Sequence, residues 1–139
     1  MLQIISGALM FLGFFSIWYY QDGFNYFKPA ELISAERTYG WGDLPFVFKL
    51  FWLLPVLGIG NIYYGFVKKY HYILCIVSSV FCFLLIWETW GWVDKVQDAA
   101  KTATVASGFY MVGLALLVSV ASIFIMKKEI KEKNISSNA

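Results

Sequence analysis

Four long uncharged stretches, at 2–20, 50–67, 70–87 and 102–126, fill most of this 139-residue chain, and its charges lie between and after them. That segregation constrains the fold more than any single motif. A helix that crosses about 30 Å of hydrocarbon needs roughly 20 mostly apolar residues. Each stretch meets that length once the polar ends that reach the headgroups are counted. Composition agrees: 60% of the residues are hydrophobic and 14% charged. A soluble domain carries about 25% charge, and one small core cannot hide so much apolar surface. Lipid is the other wall. The net charge of +2 excludes nucleic acid as a partner, since no basic run is interleaved with aromatics in a polar segment.

The expected fold is therefore an all-α membrane protein with four transmembrane helices in an antiparallel bundle. The spans run over about 2–20, 46–67, 70–92 and 102–126, within one domain over 1–133 and ahead of a polar tail at 134–139. Met1-Leu2-Gln3 offers no positive start to a signal peptide, and Trp18-Tyr19-Tyr20 offers no small residues for cleavage, so the first stretch reads as a retained anchor.

Lysine placement sets the orientation. Lys68 and Lys69 lie between spans two and three, and Lys127, Lys128, Lys131 and Lys133 follow span four. With four spans these segments share one side, and their density places it in the cytoplasm of a plasma membrane, in a bacterium the cytoplasmic membrane. Both termini are then inside. Trp18, Tyr19 and Tyr20, Trp41 and Phe46, and Trp87, Trp90 and Trp92 fall at the outer headgroup level, with Tyr63, Tyr64, Tyr70 and Tyr72 at the inner one.

The short turn from Val67 to His71 predicts that spans two and three form an antiparallel hairpin. Residues 21–45 form the longest loop, in which Pro29 to Arg37 predicts a short interfacial helix with proline at its first position. Gly91 to Lys101 carries Val93, Val96 and Ala100 at helical spacing, an extension of spans three and four beyond the bilayer. The tail continues as a helix for a turn or two past Met126 and frays from Asn134.

Polar and helix-breaking residues inside the spans are the candidate sites. Pro55, Gly58, Gly60 and Asn61 follow one another in span two, and proline predicts a kink near residues 51 to 55. Such a break can expose carbonyls to an ion or substrate. It can equally serve packing, the favoured alternative, with Asn61 bonded to a neighbouring helix. Lys49 and Glu88 stand at similar depths on the two hairpin helices, a candidate intramembrane ion pair that either locks the hairpin or lines a path. Gly108, Gly113, Ala115 and Ser119 on span four are the candidate helix-packing residues, with Ala115 and Ser119 a small-xxx-small pair.

Catalytic equipment is thin. His71 is the single histidine and has no carboxylate cluster in the sequence around it. Cys75 and Cys82 lie about two helical turns apart, too far to pair with each other, and read as small buried residues. No phosphate loop, nucleophile elbow or carboxylate dyad is present. No catalytic residue, metal or cofactor is expected.

Ser6-Gly7-Ala8 opening span one, the aromatic end at Trp18-Tyr19-Tyr20, the long first outer loop, Ser107-Gly108-Phe109-Tyr110 early in span four, and the basic tail occur in that order. In this layout, over the whole chain, the sequence resembles the small bacterial four-span membrane proteins with claudin-like topology. The extracellular cysteine pair of claudins is absent, so no junction or adhesion role is carried over. The resulting expectation is a non-catalytic membrane subunit that assembles with itself or with a larger membrane complex. The alternative is an oligomeric ion channel, small transporter or lysis- or defence-type pore that uses the kinked second span.

Overall fold

The computed structural model describes residues 1–21, 25–31, 49–67, 71–98 and 102–137. The described residues are mostly helical, with four helices traced end to end: α1 (Leu2–Phe15), α2 (Leu53–Phe66), α3 (Tyr72–Asp98) and α4 (Ser107–Ser137). Two of them, over Tyr72–Lys95 and Ser107–Lys128, are long and apolar enough to cross a membrane. The helices α1 and α2 are 14 residues each, about 21 Å at 1.5 Å per residue, which is shorter than the first two stretches predicted.

The first stretch is shortened by a small sheet. Strands β1 (Tyr19–Gln21), β2 (Asn25–Phe27) and β3 (Ala103–Val105) pair antiparallel in the order β2-β1-β3. Residues assigned from the sequence to the outer ends of spans one and four are thus strands. The physical reason lies in the residues themselves: Tyr, Phe, Thr and Val prefer extended backbone. Helix α1 ends at Ser16, whose backbone is extended; the Gly13 carbonyl accepts from the Ser16 backbone N–H and, at 2.8 Å, from the Trp18 indole N–H. Trp18 also ties the helices to the sheet: its backbone N–H donates to Phe27 and its carbonyl accepts from Ala106.

Trp18 is 0% exposed, and Tyr19 is also buried. They are core residues and not part of a headgroup belt. Trp18 meets Phe51 edge-on at 4.6 Å, Tyr19 stacks on Phe27 at 5.2 Å, and Phe14 meets Trp52 at 5.0 Å. This aromatic cluster seals the sheet against the ends of α1 and α2.

Residues Lys49 and Leu50 are helical, Phe51 and Trp52 form a turn, and α2 begins at Leu53. Pro55 accordingly occupies the first turn of α2, where an absent N–H costs no intrahelical bond. Gly58, Gly60 and Asn61 lie within unbroken helix.

The helix contacts run from α2 to α1, from α1 to α4 and from α4 to α3, closed by a sparse contact between α2 and α3. The expected hairpin partnership of spans two and three is therefore corrected: α2 packs chiefly on α1. Glycine explains the preference. A Cβ on Gly7 would strike the Gly58 carbonyl, and one on Gly58 would lie 2.8 Å from the Gly7 oxygen. The two backbones approach at a distance that only glycine allows.

The 3₁₀ turn Pro29–Glu31 occupies the start of the predicted interfacial helix, and the rest of that segment lies outside the described residues. The same holds for the Lys68–Lys69 turn and for Trp41, Phe46 and Tyr70. Helix α3 extends through Gly91 to Asp98, as the spacing there suggests, and α4 begins at Ser107 rather than 102. Helix α4 also continues to Ser137, past the point where fraying was expected. Lysine and glutamate, which dominate the segment after Met126, are strong helix formers and carry it on.

Candidate functional site

Asn61 is 0% exposed at the centre of a buried polar junction. Its Nδ2 donates to Ser78 Oγ at 2.7 Å on α3 and to its own helix at the Leu57 carbonyl, 3.0 Å away. Its Oδ1 accepts from Gln3 Nε2 at 3.2 Å on α1, and the Cys75 thiol lies 3.9 Å from the same oxygen. One amide thereby joins three helices, including the otherwise sparse α2–α3 contact.

One turn along α1 from Gln3, Ser6 reaches α4. Its hydroxyl donates to the Ala115 carbonyl at 3.1 Å and also meets the Ser119 hydroxyl. A serine has one proton to donate. With Ser6 committed to Ala115, Ser119 is the donor in the second bond. Gln3, Ser6, Asn61, Ser78, Ser119 and Ser122 are all buried. An unpaired polar group in such a place costs roughly 1–3 kcal/mol. The junction meets nearly all of these demands internally, and the exception is Gln3 Oε1, a buried acceptor without a partner among the described residues.

The chemistry available there is hydrogen bonding by amides and hydroxyls. The junction holds no carboxylate, histidine or lysine, its one ionisable group is the Cys75 thiol, and the described residues contain no group of three or more His, Cys, Asp or Glu side chains fit to hold a metal ion. Cys75 and Cys82 are free and buried. His71 is exposed, with its ring 4.9 Å from that of Tyr64.

The sequence-derived candidates separate into two groups. Asn61, Ala115 and Ser119 come together at the junction. Gly58 makes the close approach to Gly7, and Gly108 packs under Trp18 with its N–H on the Ile17 carbonyl at 2.7 Å. Gly60 faces Leu74 at an ordinary contact distance of 3.5 Å, and a Cβ on Gly113 would meet nothing within 4 Å. Gly113 therefore supports no close approach within the chain.

Lys49 is half-buried, Glu88 is exposed, and no ion pair joins them. The expected pairing assumed that α2 and α3 are close partners along their length. They touch mainly where Asn61 meets Ser78 and Gly60 meets Leu74, far along the helix from Lys49. Gln3 was not singled out from the sequence, because a polar residue at the start of an apolar run reads as a headgroup contact.

Comparison with protein-family models, with curated proteins and with solved structures finds no match to this chain.

Proposed function

We propose that this chain is a non-catalytic integral membrane subunit. Four apolar helices cross the plasma membrane, both termini lie in the cytoplasm, and the outer lipid- or protein-facing surface serves assembly with itself or with a larger membrane complex. What supports this reading is the extent of apolar surface that α3 and α4 leave exposed. Only 33% and 28% of the apolar windows in α3 and α4 are buried, where the core helix of a water-soluble protein would be mostly buried. Trp87 and Phe124 are each 68% exposed, while Asn61 and Ser78 are fully enclosed. Exposed apolar faces of this extent suit lipid or a protein partner. The short α1 and α2 are accommodated by thinning of the bilayer beside them, at fractions of a kcal/mol per Å.

Chemical cross-linking in native membranes tests the assembly. Either a ladder of the chain with itself or one dominant heavier adduct is expected; an exclusively monomeric band would count against it.

The alternative, an oligomeric channel, small transporter or pore, draws support from the turn at Phe51–Trp52 and the unpaired Gln3 Oε1 in the polar junction. Ion flux in liposomes that disappears on substitution of Pro55 or Asn61 would favour it over the subunit reading.

A further inference from the structure

The last turns of α3 present Trp90, Val93, Asp94 and Gln97 on one face, at spacings of three and four residues. Across from them stand β3 and Tyr110 in the first turn of α4, and together they line a cleft of about 310 Å³. Its floor is apolar, since Val93 and Ala103 are buried. Trp90 and Tyr110 are both exposed aromatic rings at its wall. Gln97 donates from Nε2 to the Ala103 carbonyl at 2.8 Å, which holds α3 to β3 at the cleft's edge. Asp94 lies in the lining and has neither an ion pair nor a hydrogen bond to any described residue.

The geometry points to a binding site for an organic ammonium group in this cleft. A Trp or Tyr face attracts a cation within about 6 Å of the ring centre, and the Asp94 carboxylate supplies the full opposite charge. A hard metal ion is a poor fit, because calcium takes about six to eight oxygen ligands and the lining offers one carboxylate. The volume is at the lower end of the range of about 300–1,000 Å³ typical of small-molecule sites. It suits a headgroup or a small amine rather than a folded partner. Asp94 stands at the end of the apolar segment Tyr72–Lys95. On the proposed membrane reading this is headgroup depth, so an ammonium lipid such as phosphatidylethanolamine is one source. A soluble amine is the other, and it does not depend on that reading.

The full chain in phosphatidylglycerol nanodiscs, titrated with choline by calorimetry, tests the soluble source. The same chain in discs that also contain phosphatidylethanolamine, with retained lipid counted by native mass spectrometry, tests the lipid source. Saturable choline binding assigns a soluble amine, and retention of the ethanolamine lipid over the glycerol lipid assigns the headgroup. Binding in either arm should weaken by roughly two- to fivefold in Asp94→Asn and in Trp90→Leu, the worth of one exposed ion-pair or cation–π contact. It should persist in Asp94→Glu and should not weaken in Lys95→Gln, which removes a neighbouring positive charge rather than an attractive group. Asp94 is exposed, so circular dichroism of its variants should match that of the parent. Absence of binding in both arms, or binding by Asp94→Asn equal to that of the parent, would overturn the assignment. Soluble-amine binding that survives even if the chain proves not to be an integral membrane protein would leave this site intact while the membrane reading fails.

Discussion

Asn61 is the residue on which the helix contacts converge, because its amide is the hydrogen-bond link between α1, α2 and α3. Asn61→Leu keeps the number and branching of side-chain heavy atoms, with somewhat bulkier ends, but leaves Gln3 and Ser78 without that partner. Interhelical hydrogen bonds average about 0.6 kcal/mol each in membrane helices and reach about 1.7, so a loss of roughly 1–3 kcal/mol is expected once the stranded groups are counted. Unfolding in mixed micelles measures it. The glycines give a sharper contrast. Gly58→Ala drives a Cβ into the Gly7 backbone and should cost about 1–3 kcal/mol. Gly113→Ala meets open space and should stabilise by up to about 1 kcal/mol through helix propensity alone. Equal effects at the two sites would contradict the close approach of α1 and α2. Asn61 was legible in the sequence as a polar exception inside an apolar run. Its partner Gln3 was not, and Lys49 and Glu88 lie on helices that are neighbours along the chain but only sparsely packed together.

At the scale of elements, the two long helices follow directly from their apolar runs, whereas the sheet has no comparable signature. Its strands are three residues each, too short for period-two alternation to register, and two of them sit at the ends of apolar stretches. What organises the sheet is Trp18, which caps α1, bonds both neighbouring strands' flanks and packs on Phe51 and Phe109. Trp18→Ala should destabilise by about 3–5 kcal/mol, read as a lowered unfolding midpoint, while Trp87→Ala on the exposed face should leave it nearly unchanged. Tyr19 gives the sheet a pH dependence. Burial raises its phenol above the ordinary 10.0, and a hydrogen bond with Trp92 partly opposes the shift. The folded state thus keeps that proton longer than the unfolded chain does, so stability is level below pH 10 and falls as pH rises past it. Chemical denaturation on the alkaline side should show this fall, and Tyr19→Phe should reduce it relative to the variant's own stability at neutral pH.

For the whole molecule, the decisive property is that α3 and α4 leave much of their apolar surface outside the fold while enclosing Ser78, Ser79, Ser119 and Ser122 beside a hydrophobic core. The apolar stretches announced this in the sequence, but the order of contacts among the helices did not follow from them. That order depends on which glycines face each other, Gly7 against Gly58 rather than span two against span three. The proposed topology puts the sheet and the ammonium cleft on the outer side and the lysine-bearing end of α4 on the inner side. Cysteine labelling in intact cells tests it directly, and the native Cys75 and Cys82 are buried and should contribute little background. Cysteine placed at the exposed positions Thr104 and Lys128 should report opposite sides. A membrane-impermeant maleimide should label Thr104→Cys from outside and Lys128→Cys only after the cells are opened. Labelling of both from the same side, or release of the chain from membranes by alkaline carbonate, would contradict the four-span account.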